Sequence, residues 1–419
     1  MKLGSEFFIA LRYLLGRARE GGRYLRGAAT GIALSLVPIM VTLIVADGMI
    51  QGITDRYLEL GTGHLRITNY LDEGALDTGL IPEVPGLRGV WAERQGLGLV
   101  MAAGGKTGTT IRATDPSYWT DKGSARFLTV IDGEALIEAD NEVLLGEETA
   151  RLVGAEVGGT VYIMTIRVSS SGRNIPRTMP FKVQGIVSSG YRELDAHWCI
   201  ISWEAGQRLL APEWSDAYLV GKVDDPYQDV DFVADELYMR LGHGYGIYTW
   251  KNLMGSRYGS YESTRQLLLF IMALIVLVAA VNVSSSTGML VIERQRDIAI
   301  LKATGAGPGS IRRIFLFSSL LTGLLGALIG IATGLLIGAN INSLVHGLEA
   351  ILSFFSGLFQ GGEVRILDPG FYLETIPIII NWDVVLVIGI ATVFCSVAAA
   401  WIPARRAGRI KSLELLRKF

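Results

Sequence analysis

Glu293 to Gly305 reads ERQRDIAILKATG, a charged stretch with helical character set between two long apolar runs. A charged amphipathic piece between two membrane-crossing segments moves only with those segments, so its position suggests a cytoplasmic lever rather than a catalytic loop. The fold therefore hangs on whether the flanking runs cross a bilayer. Crossing the hydrocarbon takes roughly 20 apolar residues as helix, and four segments qualify: Gly27 to Ala46, Leu267 to Ile292, Ile314 to Ile337 and Val384 to Ile402. Hydrophobic residues make up 50% of the 419 and concentrate in these runs, while only 19% of the chain is charged. Four spans put both termini on one side.

The basic residues say which side. Residues 1–26 hold six Lys or Arg against two acids, residues 293–313 five against two, and residues 403–419 six against one. The 338–383 loop reverses the bias, with Arg365 alone against Glu349, Glu363, Asp368, Glu374 and Asp383. Basic residues near span ends stay in the cytoplasm, so both termini and the 293–313 segment are expected inside, and residues 47–266 outside. That outer segment carries 20 basic and 30 acidic residues, the mildly acidic surface of a domain rather than a loop. The N-terminus does not read as a cleavable signal, because its basic lead is long, its apolar run reaches full span length and no small-x-small site follows at Ala46-Asp47-Gly48. Phe7 to Arg17, FFIALRYLLGR, is expected as a helix lying in the cytoplasmic interface; an ordinary buried helix start is the alternative.

Within the outer segment short alternating runs recur, among them HLRIT (64–68), EVLLG (142–146), TVYIMTI (160–166), FKVQGIV (181–187), HWCIIS (197–202) and AYLVGKV (217–223). Turn-forming residues separate them, the pattern of a mainly β or α+β domain. Helical spacing predicts helices at 146–154 and 230–241, and residues 250–266 read as a helical stalk into the second span. The fold class is thus a membrane protein of four transmembrane α-helices with a large α+β extracytoplasmic domain between the first and second. Residues 168–180, VSSSGRNIPRTMP, interrupt the strands as a protruding hairpin or loop. Such a connection is either mobile and without a role or, if ordered, functional.

Several chemistries are disfavoured. Gly105-Lys106-Thr107 supplies the end of a phosphate-binding loop, but the required first glycine falls on Val100. Cys199 and Cys395 lie in different compartments and cannot pair, and His64, His197, His243 and His346 lack metal-ligand spacing. No nucleophile and base, or pair of carboxylates, stands at usable spacing, and basic patches with interleaved aromatics are missing, which disfavours nucleic acid. The spans say more. Gly326, Gly330, Gly334 and Gly338 recur every four residues and line one face of the third span, a face for close helix packing. Asn282 and Ser284-Ser285-Ser286 need polar partners inside the membrane, more simply met by helix packing than by a transport path.

ERQRDIAILKATGA (293–306), followed by a basic pair and the glycine-ridged span, resembles the cytoplasmic coupling segment of the FtsX-like/MacB family of ABC-transporter permeases. LGEETARLVGAEVGGTVYI (145–163) and FKVQGIVSSGYRELDAHWCIISWEAGQRLL (181–210) are similar to the outer-domain signature of lipoprotein-releasing permeases of the LolC/LolE type. FYLETIPIIINWDVV (371–385) and WIPARRAGRIKSLELLR (401–417) resemble that group's final loop and tail. The resemblance covers nearly the whole chain. It implies a multi-pass permease of the cell inner membrane, termini cytoplasmic and large domain periplasmic, that extracts triacylated lipoproteins and hands them to a periplasmic carrier. The chain itself is then no enzyme and holds no cofactor. ATP and Mg belong to a partner ABC ATPase, and a second permease copy or a paralogue completes the membrane part.

The resemblance also implies roles for residues. Glu293 to Gly305 is expected to dock on the ATPase, through Glu293, Arg294, Arg296, Asp297 and Lys302 as polar contacts, Ile298 and Leu301 as apolar ones, and Gly305 at the end. GRNIP (172–176) is similar to a Gly-Arg-x-Pro-type hook tip with one residue inserted, which makes Gly172, Arg173, Pro176 and Arg177 the expected carrier contact. Val41, Ile44, Val45, Met49 and Ile50, at the outer end of the first span, are expected to line a lipid entry site; simple exposure to bilayer lipid is the alternative. The domain order follows: helix 1–26, span 27–46, periplasmic domain and stalk 47–266, span 267–292, coupling segment 293–313, span 314–337, loop 338–383, span 384–402 and tail 403–419. A MacB-type efflux subunit with its own ATPase domain and an FtsX-type division protein with a smaller outer domain are the rival readings. An adhesive membrane protein would not need the coupling segment.

Overall fold

The computed structural model describes residues 3–15, 22–71, 76–168, 172–358, 373 and 375–410. The chain divides into two compact units, one of the membrane helices and one formed by Met49–Tyr261 with Glu363–Ile376. The tail beyond Ile410, the start of FYLETIPIIINWDVV and residues 169–171 of the interrupting segment lie outside the described residues.

Among the described residues four helices are long and apolar enough to cross a membrane: a first span helix Gly22–Arg56, which runs on into a π-helical turn at Tyr57–Thr62, and a second, third and fourth at Gly255–Glu293, Pro308–Ala339 and Trp382–Arg409. The first and third pack at backbone distance because the third offers no side chains along its contact ridge. A Cβ on Gly326 would stand 2.8 Å from the Ala29 carbonyl oxygen, on Gly330 2.8 Å from Leu36 Cβ, on Gly334 2.6 Å from Met40 Cβ and on Gly338 2.4 Å from Ile44 Cδ1. The four-residue stagger matches on both helices, as small residues at every fourth position require. Thr287 and Ser319 share a hydrogen bond of 3.1 Å between the second and third spans, while Asn282 faces outward. An N-terminal helix, Leu3–Leu15, packs on the third span helix: Ala10, Tyr13 and Leu14 are buried, and Arg313 donates twice to Glu6, at 2.7 and 2.8 Å. Phe7 and Phe8 remain exposed on its other side, so this helix is both docked and amphipathic. The loop after the third span contains an amphipathic helix, Ile341–Leu358, that the charge count did not reveal.

In the second unit ten described strands form one sheet: β1 Leu65–Asn69, β2 Leu87–Ala102, β3 Gly105–Thr114, β4 Thr129–Gly133, β5 Glu142–Gly146, β6 Thr160–Val168, β7 Asn174–Ser188, β8 Trp198–Ser202, β9 Ser215–Val223 and β10 Tyr245–Thr249. Their order is β10-β1-β9-β2-β3-β8-β5-β7-β4, with β6 pairing β2 and β7. Strand β8 is buried along its whole length, as a central strand covered on both faces must be. Strand β6 alternates, turning Val161, Ile163 and Thr165 inward. Helix Glu147–Val153 closes on Gly154 at φ 65°, a left-handed position that suits glycine. Helix Val230–Leu241 buries Val230, Val233, Ala234 and Leu237, one stripe of a 3.6-residue repeat. The sequence Gly105-Lys106-Thr107 starts β3 directly after the β2–β3 turn, in antiparallel register with Val100 to Ala102, and forms no phosphate loop.

Candidate functional sites

The charged segment folds as a short helix, Gln295–Ala303, which ends through Thr304 and a positive-φ Gly305 (97°); Pro308 then opens the third span helix. Glycine past the end of one helix and proline at the start of the next separate the two helices by a sharp bend. At 100° per residue, positions 294, 298, 301 and 302 share one face and positions 293, 296, 300 and 303 the other. The inward face packs into a core that includes Tyr13, Leu14, Leu290, Ile311, Ala404 and Ala407. Ile298 is only 1% exposed there and Leu301 packs against the same core, half-buried. The Arg294 guanidinium lies 4.8 Å from the Tyr13 ring centroid and donates to Asp297 at 3.0 Å. Lys302 donates to the carbonyls of Gly408, at 2.9 Å, and Ile410, satisfying the end of the fourth span helix.

Two of the expected docking residues spend their side chains inside the chain. Ile298 and Lys302 are committed inside the chain, and Ile300, 55% exposed, supplies the apolar side chain of the outer face beside Glu293 and Arg296. The sequence carried this signal, since Ile300 stands four residues from Arg296 on one helical face, but which face turned outward depended on the core. Near the same bend, the Arg313 guanidinium holds the Glu6 carboxyl below the usual carboxylate range.

On the first span helix the expected lipid-lining residues separate. Ile44 is 1% exposed and packs on Gly338, so helix packing takes it out of any lining surface. Met49 is also buried, whereas Val41, Val45 and Ile50 are half-buried.

The interrupting segment is the end of a two-stranded ribbon. Strands β6 and β7 pair from Thr160↔Lys182 to Val168↔Asn174, but β6 meets β2 only at Tyr162–Met164 and β7 meets β5 only from Lys182 onward. Residues 165–168 and 174–177 thus pair with one another alone and project past the sheet. Gly172 has φ 73°, and Gly172, Arg173, Ile175 and Pro176 are exposed while Arg177 is half-buried. Pro176 cannot donate to a ladder, which suits a strand free on its outer side. The tip therefore offers Arg173 together with exposed Ile175 and Ile166, a mixed basic and apolar surface.

A buried ionic cluster escaped the sequence reading altogether. Glu59, in the π-helical turn after the first span helix, meets His64 Nε2 at 3.2 Å, Arg88 at 3.1 Å and Lys222 at 3.2 Å. Burial holds the Lys222 ammonium below its ordinary range, against the pull of Glu59 and Asp121. Arg112 binds both oxygens of Glu93, at 2.7 and 2.8 Å, and also the Leu60 carbonyl, while Tyr118 donates to the Glu59 carbonyl at 3.0 Å. The turn is thus fixed to β2, β3 and β9 by charge-assisted bonds. Its members are far apart in sequence, so no local motif announces them.

Comparison with known proteins matches family models and relatives along the chain. The family model described as the MacB-like periplasmic core domain matches residues 27–237, and that described as the FtsX-like permease C-terminal matches residues 269–411. The chain is similar to the lipoprotein-releasing system transmembrane protein LolC of Xylella fastidiosa, 27% identical over 417 residues and 98% of each chain. It resembles the LolC of Neisseria meningitidis to the same degree, 27% over 427 residues, covering 98% of this chain and 99% of that one. LolE of Haemophilus influenzae is 22% identical over 438 residues and 99% of each chain. The chain belongs to the FtsX-like/MacB family of ABC-transporter permeases, with a large sheet-rich extracytoplasmic domain between the first and second of its four spans.

Proposed function

We propose that this permease extracts lipoproteins from the inner membrane and hands them to a periplasmic carrier, driven by ATP that a separate ATPase subunit hydrolyses with Mg. The observation that carries the reading is end-to-end similarity to LolC and LolE, whose names state lipoprotein release, over at least 98% of each chain. In this reading both termini and the helix Gln295–Ala303 face the cytoplasm, and the sheet domain is periplasmic. Glu293, Arg296 and Ile300 meet the ATPase, and a second permease copy or a paralogue completes the membrane part. Val41, Val45 and Ile50 are the first-span residues with surface left to meet an acyl chain, where each buried CH₂ is worth about 0.8 kcal/mol. Gly172, Arg173, Pro176 and Arg177 form the ribbon end that receives the carrier. Solute need not cross a pore in this reading; a lever and a projecting ribbon suit the transmission of force to a lipid-anchored cargo.

The test is reconstitution. The permease, with its paralogue if one exists, is placed with the ATPase and a triacylated lipoprotein in proteoliposomes, and transfer to soluble carrier is followed with ATP and with a non-hydrolysable analogue. ATP-dependent appearance of lipoprotein in the carrier fraction is expected. Stimulated hydrolysis without any transfer would move the protein to the efflux or division branch of the family.

A further inference from the structure

The helix Ile341–Leu358 belongs to the same compact unit as the spans and follows the third span helix, which ends at Ala339. Asn340 between them leaves helical geometry, at φ −109° and ψ 18°, and its side-chain amide donates to the Leu336 carbonyl at 2.8 Å. The third span sets the level at which the second helix begins. From Arg313 to Asn340 the chain rises about 40 Å at 1.5 Å per residue, and a bilayer with both headgroup regions measures about 40 to 45 Å. Asn340 therefore stands at the membrane boundary opposite Arg313. At about 100° per residue, Leu344, Leu348, Ile351, Leu352 and Phe355 share one arc of the helix. Leu344 and Leu348 are each 50% exposed, Ile351 55% and Phe355 56%. The arc that is half-buried instead carries Asn342, Glu349, Ser353 and Ser356, with Ile341 and Val345 at its margin, and His346 meets Glu349 at 3.5 Å. A helix on a water-facing domain turns its apolar stripe inward. This one does the reverse.

We infer that helix Ile341–Leu358 lies in the membrane interface, with the stripe of Leu344, Leu348, Ile351, Leu352 and Phe355 turned into the acyl chains of the lipid. A stripe that starts at the boundary of a span has an apolar medium beside it, and lying flat is the arrangement that reaches it along the whole helix. Lipid is favoured over a second copy of the chain by the residue types. Helices that pack on one another in a membrane use small residues or hydrogen-bonding side chains, as Gly326 to Gly338 do against the first span. The stripe has only bulky aliphatic and aromatic groups, which suit fluid chains. Residues 341–358 contain no Lys or Arg and a single acid, Glu349, so attraction to anionic headgroups contributes nothing and the apolar stripe carries the binding. The consequence is a third span fixed in depth, because sliding it along the membrane normal would drag the stripe out of the acyl region. The leaflet, periplasmic, rests on the orientation proposed above; insertion of the helix does not.

The test places nitroxides on the full-length protein in nanodiscs, whose two leaflets are both open to reagents, so the result does not depend on orientation. Single cysteines L344C, L348C, I351C and F355C on the stripe and H346C and S353C off it are labelled in a C199A/C395A background. Collisions are measured with oxygen, which concentrates among acyl chains, and with a nickel chelate, which stays in water. Stripe positions should favour oxygen, at a depth of about 5 to 10 Å below the headgroups, and His346 and Ser353 positions the chelate. The pattern should be the same in phosphatidylcholine and phosphatidylglycerol and at high salt. Should the background fail to fold, the native chain serves: a phosphatidylcholine with a diazirine near its ester carbonyls should label residues 341–358. I351E with F355E should cut that labelling roughly tenfold or more, since each side chain of this size gains about a factor of ten from burial. Chelate collisions equal on both faces, or a native helix that the lipid does not label, would overturn the inference. So would stripe positions closed to both reagents with spin–spin broadening that vanishes on dilution with unlabelled protein, an outcome that gives the stripe to a second copy.

Discussion

Arg265 Nε donates to Asp47 Oδ1 at 3.0 Å, and the second oxygen of the same carboxylate accepts from Asn381 Nδ2 at 2.6 Å. One side chain, 6% exposed, therefore ties the outer ends of the first, second and fourth spans, from residues within three positions of each apolar run. Its alternative is a charge at the membrane boundary without a partner. Changing Asp47 to Ala orphans both donors and should cost about 1.5 to 3 kcal/mol, the range for hydrogen bonds to a charged group. Thermal unfolding of the solubilised protein reads the loss, and the exchange D47R with R265D should recover part of it. An unchanged transition in D47A would show that the latch contributes nothing.

The glycine ridge predicts an asymmetric response to alanine. At Gly330 a new Cβ meets the Ala33 backbone oxygen at 2.9 Å and Leu36 Cβ at 2.8 Å, neither of which is a flexible side-chain end. Overpacking of this kind costs roughly 1 to 3 kcal/mol, so G330A should lower the unfolding temperature and loosen the first and third spans. At Gly347, in the helix after the third span, a Cβ meets nothing within 4 Å. There alanine should stabilise by up to about 1 kcal/mol through helix propensity. Equal effects at the two sites would deny the ridge its packing role.

The two faces of helix Gln295–Ala303 should separate stability from coupling. I298A removes a buried side chain and should destabilise by about 2 to 5 kcal/mol whether or not the ATPase is present. R296E with I300D touches only the outer face and should leave unfolding unchanged while abolishing co-purification of the ATPase and stimulated hydrolysis. A complex of normal yield and activity from the double variant would locate the ATPase contact elsewhere.

Acid should loosen one corner of the outer domain. Hydrogen bonds from Arg151, at 2.5 Å, and Arg192, at 2.8 Å, lower the Glu148 carboxyl from its ordinary 4.5 to about 2. A carboxyl depressed in the folded state contributes stability that is fully present above pH 4.5 and is lost as pH falls toward 2. The pairs are partly exposed, so the contribution is of the order of 1 kcal/mol at most. Hydrogen exchange of residues 147–153 should be slower in the native protein than in E148Q at pH 6, with the difference closing as pH falls toward 2. A difference that persists at low pH would assign the effect to packing.

The four spans, their order and the sheet-rich domain between the first two were legible because hydrophobic length and strand alternation are local properties. A run of 20 apolar residues has few solutions besides a bilayer, and helix 230–241 stands on a stripe readable from Val230, Val233, Ala234 and Leu237 alone. The glycine repeat was legible for the same reason, as a spacing along one helix. Its partner surface was not, since nothing near residue 326 names Ala29 or Ile32.

What the sequence by itself determined is which segments lie in lipid and which periodicity each carries, because both follow from side-chain transfer and the geometry of one helix or strand. Only the tertiary structure decided which face of a segment is free. Ile298 and Ile300 are the same residue type two positions apart, and the core built by Tyr13, Leu290 and Ala404 buries one and leaves the other outside. Likewise Arg66 and Arg112 both stand on the face of the sheet that carries Glu93, but only Arg112 binds it, while Arg66 stacks on Tyr218. Pairing and exposure are set by neighbours distant in the chain, and no local pattern of residues specifies them.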